Sequence, residues 1–139
     1  MVFILDEGST FNAPLSKVWE LAQSEGKHSH PSQLNMKMSM QGEHPILDFD
    51  IKAPDGQLMH NTIRVTNIPP VGFILDYTGG AMKGTKLIQY YIPKGNETGV
   101  TMVGDAVSSM PIPDAQLRAM VLQGLDAAFK EDVENLKKL

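Results

Sequence analysis

Asn61, Gln89 and Tyr91 are polar residues at positions where strand alternation turns them to the same face as apolar neighbours. Those neighbours are Ile63 for the first and Leu87 for the other two. An amide or a phenol among apolar groups is what a binding chamber uses to orient an otherwise apolar guest. The same groups also satisfy partners inside ordinary cores. Register decides the matter for the strand holding Gln89 and Tyr91: slipped by one residue, Tyr90 replaces Tyr91 and Gln89 faces solvent. Asp105, within Met102-Val103-Gly104-Asp105-Ala106, is the acid placed to reach a cavity. Near Tyr91 it would serve as a general acid or base; turned outward it is a surface charge.

The histidines offer a weaker constellation. His28 and His30, two apart, would converge on one ion in an extended segment, with His44 or Glu43 as a third ligand. No matching ligand pair occurs elsewhere, so neither a metal nor another cofactor is expected. His60, close to Asp50 and Arg64, reads as part of a surface ion-pair ladder. There is no nucleophile elbow, Walker loop or dinucleotide fingerprint. Gly79-Gly80-Ala81-Met82-Lys83-Gly84 resembles a phosphate loop only superficially, because it joins two strands and opens no helix.

Methionine supplies the other local signal. Met36, Met38 and Met40 alternate with Lys37, Ser39 and Gln41, as on a half-buried strand. Joined by Met59, Met102 and Met120, they would make an adaptable pocket wall or simply fill a core.

The elements that must hold these residues follow from periodicity. Val2 to Phe11 reads as a strand. Asn12-Ala13-Pro14 then opens a short helix whose Leu15, Val18, Trp19 and Ala22 repeat at helical spacing to about Ser24, with Gly26 as its stop. Lys27 to Gln33 is a polar connector with room for one helical turn. After the methionine strand, Leu47, Phe49 and Ile51 alternate with Asp48, Asp50 and Lys52. Pro54-Asp55-Gly56 turns the chain into Met59, Ile63 and Val65, with Asn61 the polar intruder. Phe73 to Thr78, Thr85 to Ile92 and Gly99 to Val107 complete seven strands, joined by hairpin-length loops into an antiparallel sheet.

Pro113 to Leu139 is one long amphipathic helix, with Asp114 as its expected cap. Leu117, Val121, Leu125, Ala128, Phe129 and Leu136 form its buried stripe. Gly124, in its middle, costs about 1 kcal/mol relative to alanine. Either the helix presses closely on the sheet there, or it leaves space for a guest.

At 139 residues the chain suits one domain over residues 1–139. A net charge of -4 with no basic run argues against a nucleic-acid partner. The absence of cysteine excludes a disulfide framework and a thiol nucleophile. No segment has the length of a signal peptide or a membrane span, so a soluble, cytoplasmic protein without stable membrane insertion is expected.

Strand, short helix, six antiparallel strands and a long terminal helix is the element order of the START-like superfamily, also called SRPBCC or Bet v 1-like. The segment Phe11-Asn12-Ala13-Pro14-Leu15-Ser16-Lys17-Val18-Trp19-Glu20-Leu21 is similar to that group's opening, a strand, a proline and a Val-Trp pair on the first helix. The resemblance implies a hydrophobic cavity between sheet and terminal helix that takes lipids, steroids, polyketides or similar molecules. In a few branches it implies cyclisation or dehydration of such guests. The connector lacks the aromatic residues many members carry, and Gly42-Glu43-His44-Pro45 does not match the glycine-rich loop of the plant members.

The expected fold is therefore α+β: a helix-grip domain whose curved, seven-stranded antiparallel sheet wraps a long C-terminal helix, with one or two short helices after the first strand. The expected function is binding, as carrier or sensor, of a small hydrophobic molecule such as a lipid or polyketide-like compound. Its walls would come from Met36, Met38, Met40, Phe49, Asn61, Ile63, Phe73, Leu75, Leu87, Gln89, Tyr91 and Met102 of the sheet. Leu117, Met120, Val121 and Gly124 of the helix would close it. The alternatives are a cyclase or dehydratase in which Asp105, Tyr91 and Asn61 converge, and a protein-interaction module with a filled core.

Overall fold

The computed structural model describes residues 1–24 and 30–139. Its elements are β1 (Val2–Phe11), α1 (Leu15–Gln23), β2 (Leu34–Gln41), β3 (His44–Lys52), β4 (Leu58–Ile68), β5 (Gly72–Gly80), β6 (Lys86–Lys94), β7 (Glu97–Ala106) and α2 (Asp114–Leu136). The strands form one antiparallel sheet in the order β1-β7-β6-β5-β4-β3-β2, so the first two strands of the chain are its two edges. β1 has the bounds expected and β2 to β5 lengthen by a few residues, while β6 starts one residue later than expected and ends two later, and β7 starts two earlier and ends one earlier. Among the described residues one short helix follows β1. The Gly26 stop, His28 and the rest of Lys27 to Ser29 in the polar connector lie outside them.

Both helix starts differ from expectation. Asn12 does not cap α1; the Pro14 carbonyl accepts from the Lys17 and Val18 amides instead. Asp114 is the first residue of α2 rather than its cap, and Pro113 stands before it with no side-chain cap bond. In both places a proline presets the backbone for the first turn and lacks an N–H to leave unpaired.

The apolar face of the sheet is covered unevenly. The first turns of α2 bury Leu117 and Val121 against Val2, Ile4, Leu87, Met102 and Ala106. Its last turns join Phe129, Val133 and Leu136 to Phe11, Val18 and Tyr91, with the Phe11 and Phe129 rings 4.7 Å apart. The helix thus rests on the β1–β7 side of the sheet and on α1. Phe49, Ile63 and Val65 of β3 and β4 form a third apolar group, packed with Leu47, Ile51, Phe73, Leu75 and Tyr77 of the sheet and with no apolar residue of α2. Among the described residues, no helix is long and apolar enough to cross a membrane.

Candidate functional site

Between that third group and α2 lies a chamber of about 780 Å³, within the usual range for small-molecule sites. The sheet supplies Phe49, Asn61, Ile63, Phe73, Leu75, Gln89, Tyr91 and Met102 to its walls. Met120, Val121 and Gly124 come from one face of α2. Met36 and Met38 border it from β2.

Three expected wall residues are elsewhere. Leu87 is fully buried and Leu117 is 3 % exposed, both packed in the core under the start of α2, where helix and sheet are in contact and leave no space. Met40 is 61 % exposed and borders only a small surface depression with Pro45 and Asn67. The methionine strand is not half-buried: Met36 and Met38 are 40 % and 46 % exposed. The alternating pattern is real, but β2 is an edge strand and no helix among the described residues crosses it, so its apolar face meets the open mouth of the chamber. Met59 packs in the core and does not reach the chamber.

Several lining residues were not anticipated. Leu47, Ile51, Val65 and Tyr77 share the inward parity of Phe49, Ile63 and Leu75 and were legible from it. His30 to Leu34 and Asp132 were not, because the contact that places them spans the sequence. His30 Nδ1 meets Glu131 Oε1 at 2.9 Å, and His30 Nε2 lies 3.1 Å from Asp132 Oδ1 as an ion pair without hydrogen-bond alignment. The Ser32 amide and hydroxyl both donate to Glu131, each at 2.9 Å. Glu131 therefore clasps the connector to α2 at the rim of the chamber.

Burial works against a charge on His30, but the Asp132 and Glu131 carboxylates outweigh it and hold the imidazole above its ordinary pKa. The contribution to stability is then fully present below the unfolded value of 6.5 and is lost as pH rises through the folded value. His60, on the outer face with Asp48 and Asp50, shifts the same way, so the test is a difference. We expect the urea midpoint of the wild type to fall on going from mildly acidic to alkaline buffer more steeply than that of His30→Gln.

The polar groups of the chamber are sparse. The Gln89 amide donates to the Tyr91 hydroxyl at 3.0 Å, and Trp19 and Phe73 pack edge-on against the Tyr91 ring. Leu87, Gln89 and Tyr91 do face inward, while Tyr90 is 38 % exposed. Burial pushes the Tyr77 phenol up to about 12, so it stays neutral. Asn61 is 2 % exposed, and its Oδ1 has no hydrogen-bond partner among the described residues. Asp105 is exposed and does not line the chamber, so Asp105, Tyr91 and Asn61 do not converge. Strand alternation explains it: inward Met102 is three residues away, an odd step.

No group of three histidine or acidic side chains among the described residues is arranged to hold a metal ion. His44 contacts the Val65 carbonyl and Thr66 instead, at 3.1 and 3.2 Å. Gly124 faces open space: a Cβ built there meets nothing within 4 Å. The glycine does not mark a close approach to the sheet.

No family model matches the chain, and no curated protein matches it in sequence. Solved structures do match in fold. TTHA0849 from Thermus thermophilus aligns over 98% of this chain and 97% of its own, with TM-score 0.82 and 15% identity. A START superfamily protein from Mycobacterium smegmatis aligns over 98% and 97%, at 0.80 and 11%. The Zhui aromatase/cyclase from Streptomyces sp. R1128 aligns over 98% and 94%, at 0.78 and 14%. Likeness at these identities is likeness of architecture, and with the seven-stranded sheet, the long terminal helix and the chamber between them it shows that this chain has the START-like helix-grip fold.

Proposed function

We propose that this chain binds a small, largely apolar molecule in the chamber between sheet and α2. The chamber itself carries the reading: about 780 Å³ walled mainly by Phe, Leu, Ile, Val and Met, open at β2 and at the middle of α2. A well-packed interior leaves few voids larger than a water molecule, so a space of this size in a chain of 139 residues calls for an occupant. A guest burying about 300 Å² of apolar surface gains on the order of 7 kcal/mol before the costs of ordering. That suffices for binding without a metal or a charged anchor.

The solved aromatase/cyclase raises the enzyme reading, but this chain gives it less support. Asp132 is the carboxylate among the described lining residues, and it is engaged with His30. A non-catalytic carrier or sensor fits the side chains better. The interaction-module reading assumes a filled core, with which the chamber disagrees.

Native mass spectrometry of freshly purified protein, compared with the same sample denatured and extracted, tests the proposal. We expect a reproducible mass excess that denaturation removes. If no excess is found, and added pyrene shows no saturable change in fluorescence, the binding reading fails.

A further inference from the structure

We infer that the guest carries an uncharged carbonyl oxygen, and that Asn61 Nδ2 and the Tyr77 hydroxyl donate to it. This rests on the chamber being a site for an apolar molecule, and it adds the chemical class of that molecule.

Strand pairing leaves the Asn61 amide without a partner. Met59 and Ile63 flank it along β4 on the same face, Phe49 stands opposite on β3, and Gly80 stands opposite on β5. None of these side chains forms a hydrogen bond with an amide. Gly80 has φ +88°, and a Cβ there would collide with the His60 carbonyl, so β5 cannot supply a side chain to cover the amide. The Oδ1 end is shut off from the chamber. Nδ2 is the end that keeps accessible surface on the chamber wall, with no hydrogen bond among the described residues.

A bulge brings the second donor to the same face. Asn61 pairs with Gly80 and Thr62 with Gly79, but Ile63 pairs with Tyr77, so the register skips Thr78. The extra residue re-aims the strand and puts the phenol on the chamber side. Tyr77 stands diagonal to Asn61 across β4 and β5, a separation that a long aromatic side chain spans. Its hydroxyl makes no hydrogen bond among the described residues and, being neutral, keeps its proton to donate.

The other buried polar groups of the wall are engaged. Gln89 Nε2 is spent on Tyr91, Ser32 on Glu131, and His30 on Glu131 and Asp132. Lys52 lines the chamber but is exposed. An anion would therefore give up its hydration for two neutral donors, which is costly. A carbonyl oxygen has two lone pairs for the two donors and far less hydration to lose. A guest that expels water from this wall without such an oxygen leaves both donors stranded.

Acetylnaphthalene and isopropenylnaphthalene share a shape and differ in one group, C=O against C=CH2. Each is titrated against bound pyrene, whose fluorescence reports displacement. Apolar transfer favours the alkene, so the readout is the ratio of ketone to alkene affinity, compared between wild type and variants. We expect that ratio to fall about tenfold in Asn61→Leu and about threefold in Tyr77→Phe, with pyrene still bound. Should Asn61→Leu not fold, Asn61→Ala carries the same comparison. A ratio unchanged in the Asn61 variant would overturn the inference and leave the binding reading standing, since pyrene still binds. A ratio that rises would overturn it too, because the amide then presents its oxygen to the guest. A ratio unchanged in Tyr77→Phe would overturn the part given to the hydroxyl. Failure of pyrene to bind the wild type would overturn both readings, because pyrene asks only for apolar space.

Discussion

Replacing Leu87 by alanine destabilises the fold by about 3 kcal/mol, while the same truncation at Leu75 costs about 1 kcal/mol. Both are inward-facing leucines, and they stand opposite one another across β5 and β6. They differ in what lies above them. Leu87 is fully buried under α2 with Ile4, Met102 and Leu117, and removing its side chain leaves a cavity that its neighbours cannot fill. Leu75 borders the chamber, so one side of it already lacks packing partners. Urea denaturation of both variants checks the contrast. Equal losses would mean that the wall at Leu75 is packed and the chamber smaller than described.

Gly124→Leu weakens binding of pyrene by at least about thirtyfold, or about 2 kcal/mol, and leaves the far-ultraviolet circular dichroism spectrum unchanged. Gly124 sits with Met120, Val121 and Ala128 on the face of α2 that borders the chamber. An added Cβ meets nothing within 4 Å, so the new side chain has open chamber in front of it rather than a neighbour to displace. It occupies the volume a guest would use. Helix propensity moves the other way, since leucine is about 0.8 kcal/mol more favourable than glycine in a helix interior. The variant is therefore expected to be at least as stable as the wild type and a poorer binder. Undiminished pyrene affinity would place the guest away from the middle of α2.

Much of the architecture was legible from periodicity. The switch from helical spacing in Leu15–Ala22 to alternation from Met36 onwards, and back to helical spacing after Pro113, marks the nine elements in order. Inward parity was also legible, because side chains two apart on a strand share a face whatever the sheet does. It correctly turned Gln89 and Tyr91 inward and would have found Tyr77 from Phe73 and Leu75. Parity failed where distance mattered. Leu87 and Leu117 have the right face, but they lie where helix and sheet touch. Met40 has the right face, but it is past the end of the chamber on an uncovered edge.

The sequence by itself determined which residues form each element and which face of each is apolar, since both follow from local spacing and backbone chemistry. Where α2 lies on the sheet was decided by tertiary packing: Phe129 against Phe11 and Leu117 against the β1–β7 core draw the helix to one side, and the chamber is what remains uncovered. The clasp of His30 and Ser32 on Glu131 joins groups about a hundred residues apart, a separation that carries no local signal. The same is true of Asn61. Its amide was visible in the sequence as a polar intruder, but its unpartnered oxygen exists only because Phe49 and Gly80 come to stand beside it when three strands pair.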